Sequence, residues 1–297
     1  MGNVTILYEV AKLNRRFVIC ILCMIFLVHS ASGTQSQAAV PAEQTSQESI
    51  FLPIIMYHEI KTYKAGKDVI LPWEFESDLK YLAENDYVPI TMDQLIDYVF
   101  YGTKLPEKPI ILSFDDGYLN TYFYAVPLLK KYHMKIVMSI IVKNADDFSQ
   151  FPDDHLDYAH TTWTQINDML ASGFVEVQNH SYNLHSIRNG RIGSAQKKNE
   201  SFSDYERLFE EDIQKSQERI YEMTGDVANT FVYPYGQYSD NTDLVLKNNG
   251  FLATLSCIYG INLISTEPED LYRLKRICRS HGKSVQKLLK EAYKTIR

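Results

Sequence analysis

The chain has 297 residues, of which 45% are hydrophobic and 23% are charged, and this composition is typical of a globular protein with a sizeable core. Its formal net charge of -7 argues against nucleic-acid binding, because proteins that bind phosphate backbones present basic surfaces. The acidic balance also disfavours anionic polymers as partners.

Residues 1–33 have the layout of a secretory signal. Lys12, Arg15 and Arg16 precede an apolar run at residues 17–28, and small residues follow it. The run is shorter than the roughly 20 residues that a membrane-spanning helix needs. A retained membrane anchor is the alternative, because no cleavage site stands out. Both interpretations predict that the rest of the chain lies outside the cytoplasm, either secreted or associated with membrane or cell wall.

Residues 34–50 are small and polar, which is typical of a flexible linker, whereas residues 51–297 have a globular pattern. Cys257 and Cys278 lie in this globular part. They could form a disulfide in an oxidising compartment, but two cysteines alone do not establish one. No CxxC pair in the globular part predicts a structural zinc site.

Short apolar runs alternate with segments of helical spacing from residue 51 onward. The predicted strands cover residues 51–57, 109–114, 135–142, 174–178, 230–233 and 251–256. The predicted helices cover residues 73–84, 92–99, 122–132, 164–172, 205–223, 243–249 and 284–295. This alternation indicates a parallel sheet with helices outside, closed into an eight-fold or irregular (β/α) barrel. Such barrels carry their chemistry at the C-terminal ends of the strands.

Two adjacent carboxylates, Asp115 and Asp116, follow the predicted strand 109–114 and precede a glycine. A single Asp before Gly is typical of a turn. Two neighbouring carboxylates, however, repel each other unless a cation relieves the repulsion. A metal ion bound by one of them would keep the other ionised and close to metal-bound water.

The segment HSYNLH, from His180 to His185, also follows a predicted strand. Two surface histidines are the plain alternative, but imidazole is a common zinc ligand. With Asp116 the two residues form a His-His-carboxylate set that leaves a coordination position open, as catalytic zinc sites do. Zn is the expected divalent metal, and Co, Mn or Ni could also bind such a set.

The segment FVYPYG includes Pro234 and Tyr235 and follows another short predicted strand. It is either an ordinary turn or a rigid turn that presents a backbone N–H to a developing oxyanion. Residues 187–204 form a long polar loop after the histidine pair. That loop either contacts substrate or is only solvated, and the sequence favours neither interpretation.

Together, SFDDG, HSYNLH and YPYG in this order, with PIIMYH near the start, resemble the motifs of the NodB-homology polysaccharide deacetylases, carbohydrate esterase family four. The resemblance covers roughly residues 51–297 and extends to secreted Gram-positive members. It implies an irregular (β/α) barrel and a metal-dependent hydrolase. The implied substrate is an extracytoplasmic polysaccharide that contains N-acetylglucosamine, of the peptidoglycan or poly-N-acetylglucosamine type, from which acetate is released.

The resemblance also implies residue roles. The implied metal ligands are Asp116, His180 and His185. Asp115 matches the base that removes a proton from the attacking water. Tyr235 matches the residue whose backbone N–H stabilises the oxyanion, and Pro234 lies beside it in the substrate-contacting turn.

The sequence departs from the family pattern in three places. The histidines are five positions apart where many members have four, which resembles the subgroup acting on poly-N-acetylglucosamine. The Arg that commonly precedes the Pro-Tyr motif is missing at residues 231–233, so another group must orient Asp115, or activity is lower. The late motif with an acid His is not clear; His58, at a strand end, is the preferred candidate over His281.

Two other functions remain open from the sequence. The chain could be a non-catalytic glycan-binding protein that keeps the fold, which the missing Arg favours. It could also be an O-acetyl esterase acting on a xylan-like polymer. The intact Asp-Asp pair and the histidine pair favour the deacetylase, because a binding protein has no need of a base beside an open metal position.

Overall fold

The computed structural model describes residues 49–296. The predicted export segment at residues 1–33 and nearly all of the predicted linker at 34–50 lie outside these residues. None of the helices described is both long enough and apolar enough to span a bilayer. Cys257 and Cys278 are free thiols.

The strands, in chain order, are β1 (Ile50–Leu52), β2 (Ile54–Tyr57), β3 (Glu59–Ile60), β4 (Val69–Ile70), β5 (Val88–Pro89), β6 (Pro109–Phe114), β7 (Ile136–Ile140), β8 (Val175–Asn179), β9 (Ile187–Arg188), β10 (Arg191–Ile192), β11 (Thr230–Val232), β12 (Ala253–Tyr259), β13 (Asn262–Ile264) and β14 (Leu274–Cys278). The α-helices are α1 (Pro72–Glu84), α2 (Met92–Tyr101), α3 (Val126–Tyr132), α4 (Val142–Gln150), α5 (Trp163–Ala171), α6 (Phe202–Thr224), α7 (Asp240–Asn248) and α8 (Val285–Tyr293).

Within the described residues, seven parallel strands close into a barrel in the order β2-β14-β12-β11-β8-β7-β6. Parallel pairing between β2 and β6, from Ile54 opposite Ile111 to Tyr57 opposite Phe114, completes the ring. The prediction of an irregular (β/α) barrel is confirmed. All seven strands run the same way, so their C-terminal ends meet at one rim, which carries the three sequence motifs.

The barrel separates two apolar layers. Alternate residues of β6 show the division: Ile111 belongs to the cluster that contains residues of other barrel strands and of α2, whereas Ile110 and Leu112 belong to the cluster that contains residues of α1, α3 and α5. This alternation is the two-residue period of a strand that is buried on both faces. Thr91 caps the N-terminus of α2, and its side chain accepts a hydrogen bond from the Gln94 backbone N–H.

Three barrel strands differ from the prediction by more than a shift of their ends. The strand predicted at residues 51–57 is broken at Pro53, which has no N–H for a ladder; β1 pairs antiparallel with β13 outside the barrel, and only β2 enters it. The strand predicted at 135–142 ends at Ile140, and the unpredicted helix α4 follows. The barrel strand β14 was also not predicted, although it completes the ring between β12 and β2.

A buried ion pair connects α1 to the segment that follows β14. Arg279 Nε donates to Asp78 Oδ2 at 2.6 Å, and both side chains are almost fully buried. The same carboxylate accepts hydrogen bonds from the Tyr57 hydroxyl and from the Val285 backbone N–H at the start of α8. One carboxylate therefore links a helix, a barrel strand and the C-terminal helix.

We expect Asp78→Ala to lower the free energy of unfolding by about 3–5 kcal/mol, because it leaves the Arg279 guanidinium buried without its main partner. Urea unfolding of the purified protein measures this change. The control is Glu84→Ala on the same helix, where the ion pair with Lys80 is exposed and contributes about 0.5 kcal/mol. Equal midpoints for the two variants would contradict the assignment.

Candidate active site

The first motif begins where β6 ends at Phe114. Asp115 and Asp116 are nearly fully buried, although both are carboxylates. Asp116 has φ 71, in the left-handed region that costs a residue with a side chain about 1–2 kcal/mol. This backbone turn directs the two neighbouring carboxylates to different partners.

The second motif begins where β8 ends at Asn179. The Nδ1 atom of His180 lies 2.7 Å from the Val232 carbonyl oxygen. A carbonyl only accepts hydrogen bonds, so Nδ1 carries the proton and Nε2 is the free nitrogen. Asp212 on α6 accepts the backbone N–H groups of Tyr182 and Asn183, both at 2.8 Å, and so supports the loop between the two histidines.

The first two motifs bring Asp116, His180 and His185 together. One potential ligand atom from each lies within 4.8 Å of the others, and the two His Nε2 atoms are 3.4 and 3.3 Å from Asp116 Oδ1. That buried oxygen accepts no well-directed hydrogen bond from the residues that the structure describes. Two imidazoles and one carboxylate fit a zinc-type ion with an open coordination position.

The electrostatic setting of this cluster favours a cation. Burial would raise the pKa of Asp116, but the neighbouring histidines more than reverse this and lower it. Burial and the nearby His180 lower the pKa of His185 to about 4, so its imidazole is neutral at pH 7, as metal ligation requires. Burial alone would lower the pKa of His180, but the two aspartates outweigh burial and raise it.

The third motif follows β11 as a single 3₁₀ turn at Pro234–Gly236. Tyr235 has φ 59 and its exposed ring stacks on His185, with ring centroids 4.3 Å apart. A Cβ on Gly236 would lie 2.6 Å from the Cys257 Cβ, so this position has no room for a side chain. The turn is therefore packed tightly against β12 and directly against a proposed metal ligand.

Residues 187–204 are not a free solvated loop. Strands β9 and β10 pair as a short hairpin, and Gly193 packs so closely on Pro234 that an added Cβ would be 2.4 Å from the Pro234 carbonyl oxygen. The Ser194 hydroxyl donates to the Gln237 carbonyl at 3.0 Å. The hairpin therefore supports the Pro234–Gly236 turn from the outside.

Asp115 has a partner that the sequence analysis missed. Arg276 on β14 is fully buried, and its Nη1 donates to Asp115 Oδ1 at 2.7 Å. Its Nε donates to the Ser256 carbonyl at 2.7 Å, which fixes the guanidinium, and the Ser139 hydroxyl lies 3.1 Å from the same Asp115 oxygen. An arginine therefore does contact Asp115, but it comes from β14 and not from residues 231–233.

The charge of Arg276 also determines the protonation of Asp115. Burial would raise the pKa of this carboxyl, but the guanidinium and the nearby histidines hold it well below its usual range. Asp115 is therefore ionised at neutral pH and able to accept a proton.

The two candidate acid histidines have different surroundings. His58 follows β2, and its Nε2 lies 3.9 Å from Asp115 Oδ2. Its buried Nδ1 has no hydrogen-bond partner among residues 49–296. His281 instead contacts Glu74 at the start of α1, with Nδ1 2.8 Å from Oε2. Of the two, His58 is the one beside the carboxylate pair.

Comparison with known proteins identifies the family. The sequence model of the polysaccharide deacetylase family matches residues 102–254, slightly more than half of the chain. The chain belongs to this family. It is a polysaccharide deacetylase, as the barrel and the three motifs at its rim imply. His58 and Arg276 both lie outside the matched residues.

Two curated relatives of this deacetylase are named as N-deacetylases of one polysaccharide. The poly-beta-1,6-N-acetyl-D-glucosamine N-deacetylase of Staphylococcus epidermidis is 26% identical over 236 residues, which cover 78% of this chain and 73% of the relative. The enzyme of the same name from Escherichia coli K12 is 28% identical over 237 residues, which cover 73% of this chain but only 35% of the longer relative.

Solved structures show the same fold. The de-N-acetylase from Aggregatibacter actinomycetemcomitans superposes with a TM-score of 0.69 at 24% identity, covering 81% of this chain and 99% of that one. IcaB from Ammonifex degensii gives a TM-score of 0.63 at 26% identity, covering 77% and 92%. The first likeness, below 25% identity, supports the fold alone.

We expect Arg276→Lys to lower the turnover number of the deacetylase about 100-fold, because an ammonium keeps the charge but not the forked geometry that fixes Asp115. Acetate release at saturating substrate measures the change. Arg273→Lys is the matched control. Arg273 lies directly before β14, pairs with Asp243 of α7 and does not touch Asp115. Equal turnover in the two variants would show that Arg276 does not orient the base.

Proposed function

We propose that this deacetylase is a metal-dependent hydrolase that removes N-acetyl groups from an extracytoplasmic polysaccharide containing N-acetylglucosamine, with release of acetate. The observation that carries the proposal is that a possible metal site and a possible catalytic base lie next to each other at one rim of the barrel. A cluster of two histidines and Asp116 can bind a cation, and the adjacent Asp115 is ionised and oriented by Arg276.

The metal would be held by Asp116 Oδ1 and by one nitrogen of each histidine, His180 and His185. Zn is the expected ion, and Co, Mn or Ni also suits the donor set. A divalent ion there supplies polarisation of the acetamide carbonyl and a water molecule of lowered pKa.

The proton transfers are assigned to the chain's own residues. Arg276 engages Asp115 Oδ1, which leaves Oδ2 as the oxygen that accepts a proton from the attacking water. The Tyr235 backbone N–H is the proposed oxyanion donor. His58, 3.9 Å from Asp115 Oδ2, is the proposed donor of the proton that the leaving amine takes. Pro234 and Tyr235 form the proposed substrate-contacting turn.

For the substrate, we favour poly-N-acetylglucosamine over peptidoglycan. The curated relatives from Staphylococcus epidermidis and Escherichia coli are both named as deacetylases of this polymer. The five-residue spacing from His180 to His185 agrees with that subgroup. The exposed ring of Tyr235 beside His185 offers an apolar face of the kind on which a sugar ring can pack.

The site of action proposed here is outside the cytoplasm. The support is the signal-like layout of residues 1–33, followed by the polar linker at 34–50 and the catalytic domain at 51–297. A cleaved signal gives a secreted enzyme, whereas a retained segment attaches the domain to the membrane. N-terminal sequencing of the exported protein distinguishes the two.

The decisive experiment measures acetate released from purified glycans with and without a chelator. We expect the wild type to deacetylate poly-N-acetylglucosamine oligomers, and we expect chelation or Asp115→Asn to reduce the rate by at least 100-fold. Peptidoglycan fragments, chitin oligomers and acetylated xylan complete the panel. Release from xylan alone would identify an O-acetyl esterase, and binding without release under Zn, Co or Mn would identify a glycan-binding protein.

We expect His58→Gln to slow acetamide hydrolysis by about 100-fold or more, because the amine leaving group needs a proton. Hydrolysis of p-nitrophenyl acetate should change much less, since its phenolate leaves without protonation. His281→Gln is the matched control and should leave both reactions unchanged. Equal losses on amide and ester substrates would contradict the assignment of His58 as the acid.

A further inference from the structure

The left-handed backbone at Asp116 has to be held by its surroundings. This strained backbone belongs to the residue whose side-chain oxygen lies 3.4 and 3.3 Å from the Nε2 atoms of His180 and His185. A small rotation of this backbone would move Oδ1 away from the two nitrogens. The contacts of the Asp116 peptide therefore bear directly on the geometry of the proposed metal site.

Residues 159–161 run antiparallel to the residues that follow Asp116. The Leu119 N–H donates to the Ala159 carbonyl at 2.8 Å. The Thr161 N–H and hydroxyl both donate to the Gly117 carbonyl, at 2.9 and 3.0 Å. These hydrogen bonds connect residues 159–161 to the first motif.

The side chain of His160 completes this contact. Its Nδ1 lies 3.0 Å from the Asp116 carbonyl oxygen, so Nδ1 carries a proton and donates. Its Nε2 lies 3.0 Å from the Asn144 Nδ2, whose amide donates to it. The ring stacks on Tyr118, with centroids 4.6 Å apart, and packs near Phe148. Both ring nitrogens are thus used, because Nδ1 donates to the Asp116 carbonyl and Nε2 accepts from the Asn144 amide.

Asn144 lies on α4, which also supports the second motif. The N–H groups of Val142 and Lys143, at the start of α4, donate to the carbonyls of Ser181 and Tyr182 at 3.1 and 3.0 Å. These carbonyls belong to the loop between the two histidine ligands. The start of α4 therefore contacts the second motif through backbone N–H groups and reaches the Asp116 carbonyl in two ways, through Asn144 and His160 and through a longer hydrogen bond of 3.4 Å from the Ile141 N–H.

We propose that His160 is a positioning residue for the metal site: with Asn144 it fixes the Asp116 peptide to α4, and thereby sets the distance from Asp116 to His180 and His185. The inference rests on the metal site of the proposed function. It assigns to His160 no contact with substrate or metal. Its role is to preorganise a ligand, and outer contacts of this kind typically change metal affinity by 10–100-fold.

The test is the affinity of the purified protein for Zn²⁺, measured by competition with a chromogenic chelator, together with the absorption spectrum of the Co²⁺-loaded protein. His160→Phe keeps a ring against Tyr118 but removes the donor. We expect it to weaken Zn²⁺ binding by at least tenfold and to alter the Co²⁺ spectrum. His160→Asn can present an amide N–H near the Nδ1 position but does not reach Asn144, so its loss of Zn²⁺ affinity should be smaller than that of His160→Phe and close to that of Asn144→Leu.

Two further variants keep the test decisive. Asn144→Leu leaves His160 in place but releases Nε2, and a several-fold loss of Zn²⁺ affinity is expected even if His160→Phe folds poorly. His155→Phe is the matched control, because His155 is exposed and stacks on Tyr158 away from the metal cluster. Unchanged Zn²⁺ affinity in folded His160→Phe or in Asn144→Leu would overturn the proposal. Because metal binding is measured directly, this result does not depend on whether the protein deacetylates any of the glycans tested.

Discussion

Two adjacent carboxylates, buried at the same rim of a barrel, are the constraint on which the site depends. Asp115 and Asp116 cannot both stay ionised in such surroundings without compensating charges. Arg276 faces the first, whereas the two histidine nitrogens that face the second favour a cation there. Because different groups compensate the two negative charges, the neighbouring aspartates can have different roles. One can act as a base and the other as a metal ligand.

The second common feature of the site is backbone strain. Asp116, Ser181 and Tyr235, one in each motif, all adopt left-handed φ values without being glycine. Strained residues persist where surrounding contacts over-determine them, and they concentrate at functional sites. Each strained residue has its own support. Residues 159–161 bind the first motif, and α4 and Asp212 bind the second. Gly193, directly after the β9–β10 hairpin, packs on the third.

The elements that the sequence predicted and those it did not differ in physical character. The strand β6 was predicted to the residue, because a strand buried on both faces is almost entirely apolar. In β14, by contrast, Lys275 and Arg276 obscure the strand, since a buried guanidinium is tolerated only where a distant carboxylate receives it. The helix α4 was missed because the apolar run of β7 continues without a break into its first turn.

The sequence by itself predicted the barrel class, because strand and helix patterns alternate along the chain, and it predicted the candidate ligands and the candidate base, because their motifs lie within single loops and resemble those of a known family. Only the tertiary structure decided which residue pairs with Asp115. Arg276 and Asp115 are 161 positions apart, and they meet because β14, β2 and β6 are consecutive strands of the closed ring. The contact of His160 with the Asp116 peptide likewise depends on how distant segments pack. Strand order and packing join such residues, and no local pattern in the chain encodes either one.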